Sequence, residues 1–191
     1  MRLFVAVDID RDIRQRIAEF RDQMRALAPD VRWVAPESFH VTLQFLGETK
    51  KLDEIQRALQ QVHGAPIQLT FRNAGFFPSP TAARVFWIGM EADQHLQELA
   101  DSLGNAMRPL GFERDAGPFK PHLTLARAGS GRPRPVRGER SAPSFQLVRA
   151  KLETLGPLEF GTMTAHEFYL YESKLTPAGA KYSKVSRYSL E

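Results

Sequence analysis

The sequence predicts an α+β fold, and three observations carry that prediction. Paired strand-like segments lie between successive helical stripes, where a doubly wound parallel sheet would place a single strand. The order is close to strand, helix, strand, strand, helix, strand, and then strand, helix, strand, strand, which suits a sandwich of ferredoxin-like or related type. Finally, the chain writes His-x-Thr-Leu twice, in "SFHVTLQFL" and in "FKPHLTLAR", each after a segment holding one helix. That repetition is consistent with an approximate internal duplication.

Taken in order, Leu3 to Val7 is a short apolar run that reads as a buried strand. The stretch Asp8 to Asp12 offers helix N-cap chemistry, and Ile13, Ile17, Phe20, Met24 and Leu27 then recur at helical spacing until Pro29. "VRWVAP" and "FHVTLQFLG" read as strands, the second closed by Gly47. Leu52, Ile55, Leu59 and Val62 mark a second helix, ended by Gly64 and Pro66. "IQLTFRNAGFF" and "ARVFWIGM" are strand-like around the turn signal "PSPT". Leu96, Leu99, Leu103 and Met107 mark a third helix, and "HLTLAR", "FQLVRAKLETLG" and "HEFYLYESKL" are read as the later strands. The stretch from Ala126 to Ser144, rich in Gly, Pro, Ser and Arg, reads as a long mobile connection and not as a domain boundary.

With 191 residues the chain can bury a sizeable core, and its 42% hydrophobic and 25% charged content is ordinary for a globular protein. There is no cysteine, which excludes a disulfide framework and a thiolate zinc site and fits a reducing cytosol. No apolar run is long enough for a signal-peptide core or a membrane span, so the expectation is a soluble, cytoplasmic protein with no membrane partner. The net charge of +4 is compatible with a polyanionic ligand without demanding one.

In an extended strand alternate side chains share a face. His40 and Thr42 therefore point one way and Val41 and Leu43 the other; His122 and Thr124 against Leu123 and Leu125 repeat the arrangement. One such histidine is ordinarily structural. Two on facing strands make an acid–base pair suited to phosphoryl chemistry at a ribose, because imidazole titrates at about 6.5 and serves either role near neutral pH. The threonine hydroxyls are candidate donors to the non-bridging phosphate oxygens.

On "RLFVAVDI", "RWVAPESFHVTLQFLGE", "PFKPHLTLAR" and "YESKLTPAGAKYSKVSRYSL", the sequence resembles the two-histidine phosphoesterases, and within them the RNA 2′,3′-cyclic phosphodiesterases, also called 2′-5′ RNA ligases. The resemblance covers nearly the whole chain. It implies a single bilobal domain over residues 1–191, two antiparallel-sheet lobes with helices outside, pseudo-two-fold symmetry and both motifs in a central cleft. It further implies cofactor- and metal-independent hydrolysis of a 2′,3′-cyclic phosphate end, on RNA or a nucleotide, to a 2′-phosphomonoester. His122 would be the general base, His40 the general acid, and Thr42, Thr124 and Arg127 the phosphate ligands. Strict alternation puts Arg127 on the face opposite His122, so that role requires a bulge or a strand ending near Ala126. The alternatives are a 2′-5′ ligase acting on tRNA-like halves and a non-catalytic nucleotide- or RNA-binding module of the same fold. A monomer is expected.

Lys120 is a candidate for the cleft rim, against the simpler reading of a solvated lysine. Phe45, Phe76, Phe77, Phe86 and Trp87 are candidates for stacking on a base, against the simpler reading of core. Arg132, Arg134, Arg137 and Arg140 are candidates for an RNA backbone, against a solvated loop. His63 and His95 read as surface positions, His166 begins a strand-like run whose "HEFYLYE" is not a His-Glu-x-x-His motif, and the five histidines lack close metal-ligand spacing.

Overall fold

The computed structural model describes residues 1–129, 144–177 and 179–191. Two antiparallel sheets form it. The first has the order β3-β1-β8-β9, from β1 (Arg2–Asp8), β3 (His40–Glu48), β8 (Glu167–Thr176) and β9 (Gly179–Ser189). The second has the order β2-β6-β5-β4-β7, from β2 (Arg32–Trp33), β4 (Ile67–Phe77), β5 (Val85–Ala92), β6 (His122–Arg127) and β7 (Glu159–Ala165). With β2 set aside, the two orders match strand for strand: β3 with β6, β1 with β5, β8 with β4 and β9 with β7. The motif strands β3 and β6 are where the two sheets touch.

Helices α1 (Arg11–Arg25), α2 (Leu52–Leu59), α3 (Gln94–Met107) and α4 (Gln146–Thr154) complete the fold. The helix after β1 does not pack back on its own sheet alone. Ile13, Ile17, Phe20 and Met24 of α1 are buried, and Phe20 meets Phe86 and Phe160 of the second sheet at ring distances of 6.3 and 5.3 Å. Helix α3, which follows β5, contacts β3 of the first sheet. A single buried cluster therefore runs from Leu3, Val5 and Val7 through these helices to Phe71, Phe86 and Leu123. Burial of aliphatic and aromatic side chains at about 1.5–3 kcal/mol each is what holds the two sheets as one unit.

Four sequence expectations change. "FQLVRAKLETLG" is not a strand: Gln146–Thr154 is helix α4, with Phe145 and Val148 buried against the second sheet, because apolar residues three and four apart share a helical face. Strands β7 and β9 stand where none is expected, and "VRWVAP" shrinks to the two-residue strand β2. Asp10 is the N-cap of α1 but makes no side-chain cap bond; Asp8 is instead paired with Arg14 at 2.5 Å and Lys184 at 2.6 Å. Among the described residues no helix is long and apolar enough to cross a membrane.

Candidate active site

Both motif strands are bulged at the same place. Ala6 faces Thr42 and Val5 faces Gln44, so Leu43 is the extra residue in β3. Trp87 faces Thr124 and Phe86 faces Ala126, so Leu125 is the extra residue in β6. An extra residue shifts the alternation by one. Two neighbours in each strand are consequently buried, Leu43 with Gln44 and Leu125 with Ala126. The residue five after each histidine returns to the histidine's face: Phe45 in β3 and Arg127 in β6, both exposed. Arg127 thereby joins His122 and Thr124 in the cleft. Its charge depresses the proton affinity of His40 as well as His122, which puts it within electrostatic reach of both imidazoles.

The two imidazoles are held alike. His40 Nδ1 lies 2.7 Å from the carbonyl of Ser38, and His122 Nδ1 lies 2.8 Å from the carbonyl of Lys120, two residues back in each case. A carbonyl only accepts, so Nδ1 carries the proton and Nε2 is left as the reactive nitrogen on both rings. A neutral ring then offers a lone pair at Nε2, and a charged one offers a proton there. Thr42 and Thr124 are half-buried on the same faces.

Their surroundings differ. His40 packs on Phe4 at 4.8 Å and meets Tyr182 edge-on at 5.1 Å. Burial is the main reason its pKa is held down at about 4, with the Ser38 carbonyl and Asp8 acting in the opposite direction and Arg127 and Arg14 adding to the depression. His122 stands edge-on to Phe77 at 5.0 Å, and its pKa is also lowered, chiefly by burial and then by Arg127. Asp8 lies directly across from His40 on β1; the matching position across from His122 on β5 is Gly89. Of the two motif histidines, His40 has a carboxylate as its cross-strand partner and His122 does not.

The aromatic candidates separate cleanly. Phe76 and Phe86 are core, whereas Phe45, at 53% exposed, and Phe77 line a cavity of about 240 Å³ beside His122 and Thr42. Trp87 lies across Gly75 and Gly89, where a Cβ would come within 2.5 and 3.3 Å of the indole, and packs at a tilt on Phe77, 5.1 Å between ring centres. Lys120 is exposed and lines the same cavity as the loop from Glu113, and its carbonyl orients His122. Gln44, which sequence reasoning missed, also lines the cavity; it is 4% exposed, and its amide has no hydrogen-bond partner among the described residues. His63 and His166 are exposed, and His95 pairs with Glu98 at 3.1 Å. The loop arginines 132, 134, 137 and 140 lie outside the described residues. Among the described residues no group of three or more His, Asp or Glu is placed to hold a metal ion.

Matched sheets and two similarly tethered imidazoles define the class, a two-histidine phosphoesterase. The model of the LigT-like phosphoesterase family matches residues 7–87 and again 88–182, and the chain belongs to that family. The chain is 36% identical to an RNA 2′,3′-cyclic phosphodiesterase of Archaeoglobus fulgidus over 97% of its own length and 98% of that protein. It is 32% identical to another of that name from Methanothermobacter thermautotrophicus, over 100% and 99%. Among solved structures it superposes on a Thermus thermophilus protein with a TM-score of 0.78 at 28% identity, covering 100% of this chain and 98% of that one. E. coli LigT complexed with 3′-AMP gives 0.76 at 27% identity, with 99% and 97% covered.

Proposed function

We propose that this chain hydrolyses the 2′,3′-cyclic phosphate end of an RNA or nucleotide to a 2′-phosphomonoester, with His122 as general base and His40 as general acid. The observation that carries the reading is the shared tether at Nδ1, which leaves two Nε2 atoms free on adjoining strands. His122 Nε2 takes a proton from water as its oxygen bonds to phosphorus. The P–O3′ bond breaks on the other side, and the departing oxygen receives the proton held on His40 Nε2. Each transfer contributes about 10²–10⁴-fold in rate. Thr42 and Thr124 donate to the non-bridging oxygens, and the Arg127 guanidinium neutralises their charge. Asp8, across from His40, works for its charged form against the burial that holds its pKa down, and Gly89 gives His122 no such partner. Phe45, exposed beside Thr42, offers a stacking face to the terminal base.

The bound phosphodiester is itself an anion, and seated between the rings it raises the proton affinity of both. Without cysteine and acting as a monomeric single domain over 1–191, the protein would work in the cytoplasm. The names of the relatives, which state this activity for those proteins, support the reading. The test is incubation of a short RNA ending in a 2′,3′-cyclic phosphate, in EDTA, with ³¹P NMR of the product. A 2′-phosphate is expected and a 3′-phosphate would reverse the ring opening. Absence of turnover by folded protein on all four terminal bases would sink the reading.

A further inference from the structure

The aim of His40 depends on one carbonyl, that of Ser38. Ser38 ends a three-residue 3-10 turn, Pro36–Ser38, which has no side-chain cap at its start. A turn so short has little to hold it. What holds it is Arg14, on the first turn of α1. Its Nη1 donates to the carbonyls of Pro36 at 2.6 Å and Phe39 at 3.3 Å, the residues that bracket Ser38. Its Nη2 donates to the Asp8 carboxylate at 2.5 Å and to the Ile9 carbonyl at 3.3 Å. Four acceptors on two segments are thus gathered by one planar guanidinium, which is only 21% exposed.

The segments are the end of β1 and the turn that feeds β3. Asp8 is the cross-strand partner of His40, and its other oxygen is held by Lys184 of β9. Arg14 therefore fixes the strand end, the helix and the turn against one another at the point where His40 enters the sheet. The second histidine is served differently. Its carbonyl partner, Lys120, lies in a loop tied down through side chains, where Arg114 pairs with Asp101 at 2.5 Å and lies 5.8 Å from the Phe119 ring centre.

We propose that Arg14 is a positioning residue for His40: by clamping the Pro36 and Phe39 carbonyls to the end of β1, it fixes the Ser38 carbonyl that sets the ring's tautomer and direction. Arg14 does not touch substrate. A lysine cannot replace it, because one ammonium has no second nitrogen to reach the other pair of acceptors. Misplacing a reacting group by about 1 Å costs on the order of 100-fold in rate. The consequence for turnover rests on the acid role assigned to His40 above; the orientation of the ring does not.

The experiment uses the full chain with Arg14→Lys and Arg14→Gln, and reads kinetics and imidazole ¹⁵N spectra side by side, with ring signals assigned through His40→Gln and His122→Gln. In the parent at pH 7 both rings show the Nδ1-protonated tautomer. In both variants the His40 signals move to a mixture of tautomers while His122 stays unchanged, and kcat falls about 10- to 100-fold with KM within about twofold. If His40 keeps its tautomer in a folded variant, or if both rings change together, the proposal is overturned. If the parent itself shows no turnover, the reaction assigned above falls, and the spectra still decide on Arg14. Arg14→Lys, which keeps the charge and most of the side chain, provides the folded sample should Arg14→Gln unfold.

Discussion

His40 makes the stability of this protein depend on acid in a way that can be isolated from every other group. Its pKa in the fold is about 4, against an ordinary 6.5, chiefly because burial disfavours the charged ring. Between those values the unfolded chain binds the proton and the folded chain does not, so stability is complete above pH 6.5 and is lost as pH falls towards 4. From pH 7 to 4.5 the linkage comes to about 2 kcal/mol. Asp8, whose pKa is lowered despite its burial, with Lys184 and the Ile9 amide as leading causes, works in the same direction at still lower pH. His122 adds a loss of the same sign. A difference measurement removes both. Urea unfolding of the parent and of His40→Gln is followed at pH 7.0 and 4.5 by tryptophan fluorescence, from Trp33 and Trp87. The two proteins are compared at one shared urea concentration, which avoids the extrapolation error of about 10–15%. Relative to the variant, the parent should lose about 2 kcal/mol between the two pH values. Parallel losses, within about 0.5 kcal/mol, would refute the claim that His40 is buried as the neutral ring.

With both histidines depressed below 6.5, the free enzyme's singly protonated pair fades above that pH, so kcat/KM should fall about tenfold per unit through the alkaline limb. The bound anion raises both pKa values, and the alkaline limb of kcat should therefore lie at higher pH; superimposed profiles from pH 5 to 9 would count against the paired mechanism. Arg127→Lys keeps the charge and loses the fork, and should lower kcat/KM by about 10- to 100-fold, in line with a charge-assisted bond of about 1.5–3 kcal/mol. Unchanged kinetics would remove Arg127 from the phosphate. Gly75→Ala drives a methyl to within 2.5 Å of two Trp87 ring carbons and should cost about 1–3 kcal/mol. Since a protein of this size loses about 2–4 °C per kcal/mol, a thermal melt within 1 °C of the parent would show that the indole yields freely.

The α+β architecture and the two motifs were legible because they rest on short-range patterns. Ile13 to Met24 repeat at helical spacing, and His-x-Thr-Leu alternates as a strand should. The bulges were not, since an extra residue is defined only against the partner strand. Alternation alone would turn Arg127 away from the cleft; the pairing with β5 brings it back, and the extra residue in β3 leaves Leu43 and Gln44 both buried. Helix α4 was missed because Phe145, Leu147 and Val148 crowd an apolar run too short to choose between periods, and Leu147 turns out 60% exposed. Strand β9 gave little signal, being an edge strand with most of its side chains outside the core. The clamp of Arg14 on Pro36 and Phe39 joins residues more than 20 apart in sequence, and no local pattern announces it.

Strand β1 is synthesised long before one of its two neighbours: Arg2 to Ala6 pair with Ser173 to Tyr169. At about 5–20 residues per second, the nascent chain spends on the order of ten seconds with that edge of β1 unpaired. During that interval "LFVAV" is an apolar strand with a free row of backbone donors and acceptors, the kind of edge that recruits other chains. The first sheet closes only as the C-terminal hairpin arrives, and that hairpin brings Lys184 to Asp8 and Tyr182 to His40. Premature termination after residue 48 and before residue 167 would leave the His40 strand made but its sheet half built, a nascent product fit for a chaperone or a protease and not for catalysis.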